Sequence, residues 1–151
     1  MPPIYNILTD LISRPWYETH PEMREVLLDC TDQELEANDI VVLFSFAKKV
    51  VIHRMEAVIG VACGSSVTFD VGHYTDAGTT AVALDSLLDG FNGNAAAGTV
   101  RSSHIAGEDS LNGLYLDGET ATKYVCAKIL GAGSAVGKVL FRVHFSVVHG
   151  I

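Results

Sequence analysis

The sequence predicts a mainly β protein: an antiparallel β-sandwich of jelly-roll type behind an N-terminal arm that contains a short helix. Three observations lead there. Valine, isoleucine, phenylalanine and threonine gather in runs bounded by glycine, aspartate and asparagine. The clearest of these runs alternate with a period of two. All four prolines, Pro2, Pro3, Pro15 and Pro21, stand at one end of the chain. Proline removes a ladder donor and restricts the residue before it, so its confinement separates an irregular lead from a regular body.

Length and composition set the outer bounds. A chain of 151 residues suits one domain. With 48% hydrophobic and 19% charged residues and a mean hydropathy of +0.28, it has the means to bury a core. Apolar runs such as Asp39 to Ala47 are too short for a membrane helix, so no membrane partner is expected. A net charge of -8 opposes phosphate neutralisation, which argues against nucleic acid. Cys30, Cys63 and Cys126 are odd in number and form no CxxC pair, which suits reduced, buried thiols. The first residues show no basic stretch leading into an apolar block, so maturation in a cytosol is expected.

The arm comprises residues 1–38 and the body residues 39–151. Between Met1 and Asp39 nine acidic residues stand against two basic ones. Within it Ile4, Tyr5, Ile7, Leu8, Leu11 and Ile12 recur at spacings of three and four, the pattern of one apolar side of a short helix. Trp16 and Tyr17 follow, an aromatic anchor on a segment too polar to own a core. Such a lead is expected to dock, on a neighbouring subunit or on an open edge of its own sandwich.

In the body, strands are expected at residues 40–46, 50–62, 66–74, 80–84, 99–105, 111–115, 121–130 and 138–148. Alternation is clearest in the last, where Val139, Phe141, Val143, Phe145 and Val147 share one face and Leu140, Arg142, His144 and Ser146 the other. Val67, Phe69 and Val71 repeat that rhythm. Turns are expected at Asp76 to Thr79, Asp89-Gly90 and Asp117-Gly118. Between Ser86 and Ala106 the residues 85–89 suit a helical turn, and the glycine-rich stretch from Gly90 to Gly98 suits a long exposed loop.

The familiar catalytic patterns fail on spacing. Residues 131–138, Gly-Ala-Gly-Ser-Ala-Val-Gly-Lys, lack the glycine spacing of a phosphate loop, put Val139 where a Ser or Thr is needed, and lead into a strand, so a hairpin turn is expected. No serine stands in Gly-x-Ser-x-Gly. The histidines His20, His53, His73, His104, His144 and His149 form no His-x-His pair. His53 and His144 are expected to face outward or into an interface, and the other four to lie in loops and turns. Cys63 with His73 ten residues later is weighed as a nucleophile and set aside, because Cys63 closes a mostly apolar run and packs as a small hydrophobe. No metal, cofactor or catalytic residue is assigned.

The body also resembles the small structural proteins of tailed bacteriophages, of the head decoration or cement type. The residues that carry the likeness are the stretch from Ile40 to Ile52, the strand from Ser66 to Gly72 followed by Asp76 to Thr80, a glycine-rich middle, and the final strand from Gly137 to Phe145. The resemblance covers about Asp39 to Val148 and leaves out the acidic lead. It implies a non-enzymatic β-sandwich, commonly a homotrimer, that binds the major capsid protein lattice on the virion and is assembled in the host cytoplasm. The alternative is another virion component, a tail, collar or fibre-associated module that binds a host receptor or glycan. An enzyme ranks third.

Overall fold

The computed structural model describes residues 18–31, 35–76, 81–104, 114–131 and 134–149. Nine strands follow one another: β1 (Glu18–Asp29), β2 (Ile40–Phe46), β3 (Lys49–Val61), β4 (Thr68–Tyr74), β5 (Ala81–Asn92), β6 (Val100–His104), β7 (Leu114–Asp117), β8 (Lys123–Leu130) and β9 (Lys138–His149). They form two antiparallel sheets, and no helix occurs among the described residues. The first has the order β1-β9-β3-β6, with β7 also on β3; the second has the order β2-β8-β4-β5. Because β6 pairs with Arg54 to Val58 and β7 with Lys49 to Ile52, these two short strands lie end to end along one edge of β3.

The period-two faces meet in one core. Val139, Phe141, Val143, Phe145 and Val147 of β9 are buried, as their alternation predicts, together with Val50, Ile52, Met55, Ala57 and Ile59 of β3. From the second sheet come Phe44, Phe46, Phe69, Val71, Leu87, Leu88, Phe91, Val125, Ala127 and Ile129. Two edge-to-face aromatic pairs join the layers: Phe69 with Phe141 at 6.1 Å between centroids and Phe46 with Phe145 at 5.0 Å.

Four expectations need correction. A strand precedes Ile40: β1 pairs in continuous register with β9, from Glu18 opposite His149 to Asp29 opposite Lys138. Pro21 lies within it, which an edge strand tolerates. Second, no helical turn forms at residues 85–89. β5 runs on to Asn92, and the Asp89-Gly90 turn is a bulge inside it: Gly90 has φ +58°, and its N–H donates to the Asp70 carboxylate at 2.8 Å. The long exposed loop expected through Ala106 contracts accordingly. Third, residues 131–138 cannot be a hairpin turn, since β8 and β9 belong to different sheets; the stretch crosses between layers. Gly137 has φ +91° there, and a Cβ would stand 2.4 Å from the carbonyl oxygens of Val61 and Ala62. Fourth, His20, His73, His104 and His149 lie in strands, not in loops. By contrast, the Asp117-Gly118 turn is present, with Asp117 accepting from the N–H groups of Glu119 and Thr120.

Truncating the shared ring of the interlayer seam tests this packing. Phe141→Ala is expected to lower stability by about 3–5 kcal/mol, since Phe141 is fully buried against Phe69. Urea denaturation followed by circular dichroism measures it, and a loss under about 1 kcal/mol would mean that the two sheets do not close on this ring.

Candidate interaction surface

The chemistry of the described surface lies on two features, both built by β1. The first is the opening between the layers, where β1 edges one sheet and β2 edges the other. On β1 the inward positions are Glu22, Arg24, Val26 and Leu28, and only the last is buried. Arg24 reaches across the opening. Its guanidinium lies 5.3 Å from the centroid of the Phe46 ring and 5.1 Å from that of Phe145, and it donates to the Ser45 carbonyl at 3.1 Å. A depression of about 230 Å³ lies beside it, lined by Glu22, Arg24, Phe46, Lys48, Phe145 and Val147 among others. The cation thus seals the aromatic seam at its open end and holds two sheet edges together.

The second feature is the outer face of the β1-β9-β3-β6 sheet. Residues opposite one another in antiparallel strands share a face, so register turns the sequence into rows. Leu27, Leu140, Val58 and Val100 form an apolar row across all four strands. The next row is Glu25, Arg142, Glu56 and Ser102. In it Arg142 Nε donates to Glu25 at 2.6 Å and its guanidinium stands 3.9 Å from Glu56. Glu56 also pairs with Arg54 at 2.5 Å and stands 3.4 Å from His144. His53, displaced by a bulge in β3, holds the Ser146 hydroxyl at 2.8 Å. A lattice of paired charges therefore lies beside an exposed apolar strip.

The residues weighed for catalysis do not converge. His53 and His144 lie on this outer face, whereas His73 is in the other sheet, its Nδ1 3.1 Å from the Ser86 hydroxyl. Burial, with the Lys123 charge adding, lowers the His73 pKa below its ordinary value of 6.5. Cys63 is buried, with its thiol donating to the Val61 carbonyl at 3.8 Å, and it lies beside Cys30, a neighbour 33 positions away that sequence spacing does not reveal. The interaction with Cys30, and burial after it, push the Cys63 thiol up, which makes it a poor nucleophile. Cys126 is pushed up to about 12 by burial, with Asp76 adding. Among the described residues no group of three or more His, Cys, Asp and Glu side chains is placed to hold a metal ion. The arm residues Ile4, Tyr5, Ile7, Leu8, Leu11, Ile12, Trp16 and Tyr17, and the short helix expected there, lie outside the described residues.

Two measurements follow from these buried groups. The native state binds a proton at His73 less readily than the unfolded chain does, so stability is full above pH 6.5 and falls as pH drops from 6.5 to the lowered native value. Thermal melts between pH 7.5 and 5 are expected to show a shallower acid slope for His73→Gln than for the wild type; equal slopes would mean that His73 does not carry this loss. Among the described residues the buried Tyr74 hydroxyl has no hydrogen-bond partner. Tyr74→Phe is therefore expected to leave stability unchanged or raise it by about 1 kcal/mol, and a clear loss in the same melts would show that the hydroxyl is satisfied.

No family model matches the chain, and no curated protein is similar to it in sequence. Among solved structures the chain is similar to one in the capsid of Ralstonia phage GP4, with a TM-score of 0.58 and 20% identity over 89% of this chain and 86% of that one. A chain from the infectious bursal disease virus Gx strain matches at a TM-score of 0.32 and 12% identity, over 87% of this chain but 37% of its own length. That score is too low to carry an argument. The likeness to the phage GP4 chain is one of fold, and the two coverages mean that the paired chains are of closely similar length.

Proposed function

We propose that this chain is a non-enzymatic structural component of a tailed-phage virion: a capsid decoration or cement protein that binds the major capsid protein lattice and stabilises it. The observation that carries this reading is the whole-chain fold likeness to a chain of similar length from the capsid of a Ralstonia phage. The strand order supports it. Sheets ordered β1-β9-β3-β6 and β2-β8-β4-β5 read as a jelly roll, with β6 and β7 sharing the place of one strand, and viral capsid domains are among the proteins that use that architecture. Fold alone does not give function, so the surface must be consistent with it as well. Here it is, because the polar groups of the outer face pair with one another and leave apolar side chains exposed, which suits adhesion better than turnover.

In this reading the arm is the tether. Ile4, Tyr5, Ile7, Leu8, Leu11 and Ile12 supply an apolar stripe and Trp16 and Tyr17 an aromatic anchor, which together dock on a neighbouring subunit or on the shell. Copies associate with one another on the particle, in trimers where the resemblance to decoration proteins is followed in full.

Location is the decisive test. In a cryo-electron reconstruction of particles from the virus that encodes the chain, its density is expected on the capsid shell; density confined to the tail or collar would replace this reading with the host-binding alternative. For the arm, replacing Trp16 and Tyr17 by alanine is expected to weaken particle attachment at least about tenfold while the melting curve stays unchanged. Equal loss of folding and attachment would place the lead in the core instead.

A further inference from the structure

We infer that the outer face of the β1-β9-β3-β6 sheet is the surface on which a second copy of this chain docks. The inference deepens the reading that copies associate, and rests on it. Five of the eight exposed large hydrophobics among the described residues lie on this one face: Met23 at 50% exposure, Leu27 at 55%, Val61 at 50%, Val100 at 56% and Tyr115 at 49%. Leu27 and Val100 end the apolar row, and the half-buried Leu140 and Val58 join them across the sheet. A continuous apolar strip of this kind, bordered by polar side chains, has the layout of an interface core with its rim.

Charge selects the occupant. The chain carries a net charge of -8, so two copies repel wherever that charge is displayed. Within the rows beside the apolar strip, however, the acids Glu25, Asp29 and Glu56 are balanced by the bases Arg54, Lys138 and Arg142, and the close pairs are already made within one copy. A copy of the same chain can therefore approach here without meeting its own excess charge. An anionic or strongly basic partner would find no net field to recognise. Size is also adequate. β1, β9 and β3 run for 12, 12 and 13 residues. With β6 and β7 end to end along the edge of β3, they present a face roughly 40 Å by 15 Å, on the order of 600 Å², against about 800 Å² per partner in a standard interface.

The test is size-exclusion chromatography with multi-angle light scattering over a range of concentrations. The wild-type chain is expected to show a mass above that of one chain. Leu27→Asp together with Val100→Asp should weaken association about a hundredfold or more, because a charge would be buried unpaired in the contact. Both positions are exposed in one copy, so far-ultraviolet circular dichroism should not change, and only the part of the melting temperature that depends on concentration should be lost. Val82→Asp, 58% exposed on the other sheet, is the control and should associate as the wild type does. A wild-type mass of one chain at every concentration would overturn the inference, and so would an assembly that survives the double substitution or is equally broken by Val82→Asp. Particle binding is measured separately: an assembly that dissociates as expected but never binds a capsid leaves this surface assigned and removes the decoration reading.

Discussion

The seam between the two sheets, where Phe141 and Phe145 of β9 meet Phe69 and Phe46, is the constraint on which the rest of the structure depends. Among the described strands only β4 and β5 are both consecutive in sequence and paired with each other. Every other ladder skips at least two strands, from β3 with β6, which passes over β4 and β5 of the opposite sheet, to β1 with β9. Ladders of that kind pay loop-closure entropy before they gain hydrogen bonds, so neither sheet has local structure enough to form alone. The aromatic and aliphatic burial between the layers offsets that cost for both sheets at once. β9 occupies the key position, since one of its faces fills the seam while its two edges hold β1 and β3.

A seam between open sheets must be closed at its margins. On the β1-β2 side the closure is made by Arg24, whose guanidinium lies over both Phe46 and Phe145 and bonds to the Ser45 carbonyl. A long cationic side chain can do this because its stem packs on apolar surface while its head stays wet. The same strand carries Glu25 on its opposite face, bonded to Arg142. β1 is therefore bound to its own sheet by ladder and ion pair and to the other by a cation over two rings, which explains how a segment with little apolar content is held.

These features differ in how far they can be read from residue order. The buried face of β9 and the bounds of β2 follow directly from alternation and from apolar runs, because in a sheet with one wet face the period of two is a record of burial. β1 escapes the same reasoning. Its inward positions run Glu22, Arg24, Val26, Leu28, and the polar half faces the opening between the sheets, so the strand has no apolar period over that half. Asp89-Gly90 looks like a turn because the positive φ that glycine supplies serves a turn and a bulge equally well; only the buried Leu87, Leu88 and Phe91 around it decide. The outer-face rows are harder still. Leu27, Val58, Val100 and Leu140 are scattered over more than a hundred positions, and nothing short of strand register makes them neighbours.

That register dependence bears on what kind of work the protein does. Catalysis needs a few groups whose protonation is set apart from the ordinary and whose geometry converges. In the described residues the groups with shifted protonation are dispersed: His73 is lowered by burial in one sheet, while the Cys30 and Cys63 pair lies where β1 and β3 end in the other. The carboxylates of the outer face are held by guanidinium groups instead of facing a cleft. A surface whose charges satisfy one another has little left with which to polarise a substrate, and when another protein covers it the paired groups keep their partners, which costs less than covering an unpaired charge would. In the proposed contact between copies the exposed apolar row supplies the favourable term, and its position across four strands would make that contact rigid in a way that a loop-borne patch would not be.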